Sequence, residues 1–239
     1  MTPINRIRNT KMARTQPRIF STTPGYISHL LIAAVVLLIL LVASNAYPET
    51  TSAQYKEYEV KAAFMYNFLK FVNWPEEKMA KDGNQIIIGI IGDDPFGSAT
   101  DIFKGKTIEN RNLVVKRLEG ARLLKEMSEN DKNKRMEELK KCHLLFICSS
   151  EQKYVRDIID IVGNHGVLTV GDTENFIESG GIVKFFLEDN KIRFDINLDS
   201  ADKAGLEMRS QLLRLARKVV KGGVNISASG AGADKQKGK

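Results

Sequence analysis

Gln85-Ile86-Ile87-Ile88-Gly89-Ile90-Ile91, followed at once by Gly92-Asp93-Asp94-Pro95, is the stretch that decides the fold. An apolar, β-branched run without polar alternation makes a strand buried on both faces, which is the habit of parallel sheets covered by helices on each side. The loop after it carries a proline suited to the first turn of a short helix. Working outward, residues 54–71 repeat Val60, Phe64, Phe68 and Phe71 at helical spacing, and Trp74-Pro75 ends that helix. Toward the C-terminus the expected order is a strand at 112–118, a charged helical segment at 119–141 with a break near Asn130-Asp131, and a strand at 144–148. A helix follows to about residue 162, opened by a capping box of Ser149 and Gln152. Next come a strand at 167–170 and a short helix capped by Asp172 and Thr173 that ends near Glu178.

Residues 182–198 read as two strands around Asp189-Asn190, a pair suited to a two-residue hairpin turn. With that turn, Glu188 opposes Lys191, Leu187 opposes Ile192, Phe185 opposes Phe194 and Val183 opposes Ile196, and the apolar pairs share one face. The other face sets Phe186 against Arg193 and Lys184 against Asp195. Such pairs contribute roughly 0.2–1 kcal/mol each. Asp199-Ser200 is then expected to cap a last helix to about residue 220, with Met208, Leu212, Leu215 and Val219 inside and a basic end of Arg214, Arg217, Lys218 and Lys221. Strands alternating with helices predict an α/β fold, a single three-layer domain over 54–221. Its central sheet is mostly parallel, with a C-terminal antiparallel hairpin and helices on both faces. Residues 222–239, rich in Gly, Ala, Ser and Lys, are expected to be a disordered tail.

The first 46 residues are a different kind of sequence. Five basic side chains (Arg6, Arg8, Lys11, Arg14, Arg18) and no acid precede the apolar run 30–43, and Ser44-Asn45-Ala46 supplies small residues for a signal-peptidase site. This is the pattern of a cleaved secretory leader, 1–46, with 47–53 a polar linker. The 14-residue run falls short of the roughly 20 needed to span a bilayer. The long basic region before it leaves an uncleaved N-terminal membrane anchor as the alternative. Export to the periplasm removes ATP and nucleic acid as partners. The leader supplies +5 of the net +7, so the remaining 193 residues are about +2 and carry no nucleic-acid footprint.

Motifs for chemistry are weak. Gly105-Lys106-Thr107 lacks the first glycine of a phosphate-binding loop, with Thr100 in its place. Asp93-Asp94 resembles the acidic pair of a receiver domain, yet the third strand ends Cys148-Ser149-Ser150 without an acceptor Asp. No G-x-S-x-G elbow is present, and His143 and His165 lack metal-ligand spacing. No catalytic set, metal or cofactor is expected. Cys142 and Cys148, six residues apart along a strand, would lie about 20 Å apart if fully extended. A disulfide needs Cα atoms about 4.4–6.8 Å apart. A sharp turn, free buried thiols and an intermolecular bridge are the three readings, with free or intermolecular cysteines favoured.

Three segments together resemble one family. They are Tyr58-Glu59-Val60-Lys61-Ala62-Ala63-Phe64-Met65-Tyr66-Asn67-Phe68 continuing to Phe71-Val72-Asn73-Trp74-Pro75; Gly166-Val167-Leu168-Thr169-Val170-Gly171-Asp172 with Phe176 and Gly180-Gly181; and Arg193-Phe194-Asp195-Ile196-Asn197-Leu198 with Ala204-Gly205-Leu206 and Gln211-Leu212-Leu213-Arg214-Leu215-Ala216. The pattern resembles the YfiR-like family of exported bacterial proteins over about 55–219. The resemblance implies a periplasmic, non-enzymatic regulator. It would form a homodimer and bind and inhibit the periplasmic sensor region of a membrane-bound diguanylate cyclase, so that its release raises cyclic di-GMP and favours biofilm. Relatives linked to sensor histidine kinases leave the partner open, and a small-molecule sensor is the alternative reading. Loops such as Gly92-Asp93-Asp94 and Gly171-Asp172 would then hold the ligand. Relatives also lean on disulfides, which this chain, with two cysteines, does not match. Lys184, Phe186 and Arg193 are the expected partner-binding residues, because aromatic and Arg side chains carry most interface energy.

Overall fold

A computed structural model describes residues 50–81, 83–121 and 127–226. The 1–46 leader, with its two readings, lies outside them, as does part of the charged 119–141 segment. Among the described residues no helix is long and apolar enough to cross a membrane.

The domain is a three-layer α/β fold. Helix α1, Thr50–Phe71, begins inside the stretch expected to be linker and leads into the short strand β1, Val72–Asn73. Its buried face is Tyr58, Lys61, Ala62, Met65, Phe68 and Leu69. That face is rotated from the expected stripe: Phe64 and Phe71 are half-buried and Val60 is exposed. The aromatic spacing is helical, but the centre of the packed face falls on small and flexible side chains that let α1 approach the sheet. Helix α2, Glu76–Lys81, precedes β2, Gln85–Ile91, and a 3₁₀ turn at Gly97–Phe103 replaces the short helix expected after it. β3, Thr107–Ile108, and β4, Arg111–Leu118, form a small hairpin.

Helix α3, Glu129–Lys140, is capped by Ser128, whose side chain accepts from the Asp131 N–H. β5, Leu144–Ile147, ends at a 3₁₀ turn, Ser149–Tyr154, and only then does α4, Val155–Val162, begin. The expected capping box of Ser149 and Gln152 does not form, because the turn begins at Ser149 itself, with Cys148 at its N-cap and no side-chain cap. The next residue, Ser150, accepts from the Asp93 N–H across the sheet end at 2.9 Å. β6, Leu168–Gly171, is followed by turns through 174–180, not by the expected short helix. Phe176 is fully buried there, and a Cβ on Gly171 or Gly181 would overlap its ring. Those glycines are therefore set by packing.

β7, Val183–Glu188, and β8, Lys191–Asn197, pair in the expected register, Glu188 with Lys191 through Val183 with Ile196. Asp189 and Asn190 sit at φ 49° and 57°, as a two-residue turn with both central residues left-handed requires. The expected last helix is broken. α5, Leu198–Lys203, is capped by Asn197, whose side chain accepts from the Ser200 N–H. Gly205, at φ 72°, then turns the chain into β9, Glu207–Met208, which pairs with β1. One turn of helix α6, Ser210–Leu213, and β10, Lys218–Lys221, complete the segment. Met208, Leu212 and Val219 are buried, but on three separate elements, and Leu215 is exposed. The chain continues past the expected domain end through a Gly222-Gly223 turn into β11, Val224–Asn225.

The main sheet runs β11-β10-β8-β7-β6-β5-β2-β4-β3. Its middle five strands, β4-β2-β5-β6-β7, are parallel. One core, with α1, α5 and α6, covers one face, and a second, with α4, covers the other. Because β4 and β5 lie on opposite sides of β2, the chain leaves β2 toward the first face and β5 toward the second. The crevice in which open α/β sheets hold ligands opens at that point, at the strand C-termini. At the opposite end of the sheet lies His143, fully buried, its Nδ1 accepting the Ile87 N–H at 3.1 Å. Burial, then Lys78 and Arg111, push its pKa down to about 3.

Candidate functional site

The crevice at the strand C-termini is filled by the chain's own side chains. Gly171 ends β6, so Asp172 emerges beneath α1. There it accepts from the Tyr58 hydroxyl at 2.9 Å and lies 2.6 Å from Lys61 Nζ. Lys61 is 2% exposed, also meets Glu57 at 2.6 Å, and sits 4.3 Å from the Tyr58 ring centre. Burial, then the charge of Asp172, raise the Tyr58 pKa well above the usual phenol range. Across the crevice, Asp94 accepts from Arg117 at 2.7 Å and from the Phe96 N–H at 2.8 Å. Glu151, buried, accepts the Ala121 N–H at 2.7 Å. Cys148 lies among these acids. Burial first, then Asp94, Asp172, Glu151 and Asp93, raise its pKa, so it stays a protonated thiol.

The loops Gly92-Asp93-Asp94 and Gly171-Asp172, expected to hold a ligand, thus do converge. Their carboxylates Asp94 and Asp172 are committed to internal partners. Asp172 Oδ1 and the Thr173 hydroxyl are buried with no hydrogen-bond partner among the described residues. Cys142 and Cys148 are not bridged to each other and are fully buried, in the cores on opposite faces of the sheet.

The second candidate is the hairpin face turned away from α1. Lys184, Phe186 and Arg193 share it with Glu188 and Asp195, as the register requires. Arg217, arriving just before β10, organises the face. Its guanidinium forks onto Asp195 at 3.1 and 2.8 Å, reaches Glu188 at 3.3 Å, and lies 4.1 Å from the centre of the Phe186 ring. The hydrogen bond to Asp195 raises the already high pKa of Arg217. The cation over Phe186 is therefore Arg217, not the directly opposed Arg193, and Asp195 pairs with Arg217 instead of Lys184. Arg193 points more freely, 3.9 Å from Glu188 and half-exposed. Sequence reasoning had placed Arg217 on a helix; only its partner strand β8 could have shown where it goes. Lys61 did leave a signal, a lysine on the buried stripe of α1 three residues from Tyr58.

The third is an open groove of about 950 Å³ between α1 and the hairpin tip. Tyr58, Val60 and Phe64 line one wall and Leu187 and Ile192 the other, with Lys56, Lys191 and Arg193 at the rim. Val60 is 43% and Leu187 58% exposed.

These features define an α/β module with a closed crevice and two open, side-chain-rich faces beside one hairpin. The chain belongs to the YfiR/HmsC-like family, whose model matches residues 58–217. That family is one of regulators associated with diguanylate cyclases. Among solved structures, the chain is similar to a conserved domain protein from Vibrio cholerae O1 biovar El Tor, at 11% identity and a TM-score of 0.38, over 62% of this chain. It spans 60% of that protein's length. A search of curated proteins finds no match.

Proposed function

We propose that this protein is a periplasmic, non-enzymatic regulator that binds and inhibits the periplasmic sensor region of a membrane signalling enzyme, a diguanylate cyclase. The family match over residues 58–217 carries this reading, and the leader supports the location. Inhibition needs only that the domain prefer the enzyme's inactive state, since a ligand shifts an equilibrium by its differential affinity. The contact face proposed is the hairpin side of Lys184, Phe186 and Arg193, where Arg217 and Asp195 hold the aromatic ring in place. Pre-ordering of this kind lowers the cost of association.

Cyclic di-GMP measured in cells lacking the protein tests the reading. Levels should rise on deletion and fall on complementation. Arg193→Glu with Lys184→Glu should complement poorly while the purified chain keeps its melting temperature. Unchanged cyclic di-GMP on deletion refutes the proposal.

A small-molecule sensor is the second reading, favoured by one observation: the unpartnered Asp172 Oδ1 and Thr173 hydroxyl. A thermal-shift screen of small polar compounds tests it, and a shift abolished by Thr173→Val supports it.

A further inference from the structure

We infer that the groove between α1 and the hairpin tip docks an amphipathic helix of a protein partner, one whose apolar stripe is flanked by carboxylates. The inference rests on the regulatory reading above and names the element that would be recognised. Lys56, Val60 and Phe64 recur every four residues along α1, and such i±4 rows are the ridges against which a second helix packs. They span roughly 12 Å, about two turns, at 1.5 Å per residue. The facing wall is the cross-strand pair Leu187 and Ile192, fixed by the hairpin register. Apolar anchors at i, i+3 or i+4, and i+7 of an incoming helix would meet both walls.

Charge chooses the partner's flanks. The acid at the rim, Glu57, is held by Lys61 at 2.6 Å, and Glu188 is occupied by Arg217 at 3.3 Å. Lys56 and Lys191 enter no ion pair among the described residues, and Arg193 meets Glu188 only at 3.9 Å. The apolar strip is thus edged by three cations, and the acid that lines the groove with them, Glu57, is already engaged. A basic helix would be repelled and an acidic one steered in.

The test measures binding of two synthetic 18-residue helical peptides to the full-length chain by fluorescence anisotropy. Both carry the same leucine stripe, one with Glu flanks and one with Lys flanks. The Glu peptide should bind at least about tenfold more tightly, a difference of about 1.4 kcal/mol, and the advantage should shrink with added salt. Lys56→Glu with Lys191→Glu should reverse the preference. Leu187→Asp and, on the other wall, Val60→Asp should each weaken both peptides about tenfold or more; both sites are exposed, and circular dichroism confirms folding. Equal binding of the two peptides overturns the inference, as does indifference to the wall substitutions. A dimer in sedimentation velocity that Leu187→Asp dissolves also overturns it, because a second copy would then occupy the groove. If these tests fail while deletion still raises cyclic di-GMP, the groove assignment alone falls; if deletion has no effect, the regulatory reading falls.

Discussion

Replacing Lys61 by Met should be among the most damaging single changes in the domain. Lys61 is 2% exposed and lies 2.6 Å from both Asp172 and Glu57, with the Tyr58 ring beneath it. Met keeps the aliphatic stem and removes the charge. Asp172 then remains under α1 with the Tyr58 hydroxyl as its donor, and its Oδ1 is already without one. Breaking a buried pair from one side costs about 3–5 kcal/mol, because the other charge is left uncompensated. At about 2–4 °C per kcal/mol for a domain of this size, the melting temperature should fall by about 6–20 °C. Lys61→Met with Asp172→Asn removes both charges and keeps a group for Tyr58, so it should recover more than about 1.5 kcal/mol of the loss, the size of coupling expected for residues in one network. Urea titration followed by the fluorescence of Trp74, the chain's single tryptophan, measures both variants. A cost below about 1 kcal/mol for Lys61→Met, the range of exposed ion pairs, or additivity in the double variant, would refute the reasoning.

Three further outcomes follow from the same geometry. His143 has its folded pKa, about 3, depressed below the ordinary 6.5, so the unfolded chain takes a proton that the native one refuses. Its stabilising contribution is complete above pH 6.5 and is lost as pH falls toward 3, by up to about 1.4 kcal/mol per unit. Between pH 7 and pH 5 the native chain should therefore lose about 2 kcal/mol more than His143→Asn, measured by urea midpoints; identical pH dependence rules this out. Gly171→Ala, which forces a methyl into the Phe176 ring, should cost about 1–3 kcal/mol as overpacking. Adding Phe176→Leu should cost less than the sum of the two single changes in calorimetry, and strict additivity would contradict a shared space. Arg217→Ala should destabilise by about 1.5–3 kcal/mol, the range for hydrogen bonds to charged groups. It should also loosen Phe186, seen as sharper peptide-specific hydrogen exchange in β7 and β8, and an unchanged exchange pattern there would count against Arg217 as the organiser of that face.

Much of the fold was legible because its signals are local. Gln85–Ile91 reads as a doubly buried strand from its own composition. The β7–β8 register follows from Asp189-Asn190 and a period of two, which ties every cross-strand pair to the turn. Boundaries were less legible where an end group found a distant partner: Asp172 serves Tyr58 and Lys61 in place of a following helix. The C-terminal segment misled because Met208, Leu212, Leu215 and Val219 recur at helical spacing by coincidence. Gly205 breaks the helix, and β1 and β8 draw Met208 and Val219 into pairing.

By itself the sequence determined the class of fold, the hairpin and the likeness that places the chain in its family, since hydrophobic period and turn chemistry act between neighbours. The tertiary structure alone decided which side chains meet. Lys61 and Asp172 are 111 residues apart, and Arg217, just before β10, and Asp195, on β8, are 22 apart. No period links such positions, so the closed crevice, the Arg217-bound hairpin face and the turn of α1 that leaves Val60 outside appear only when the sheet brings its strands together.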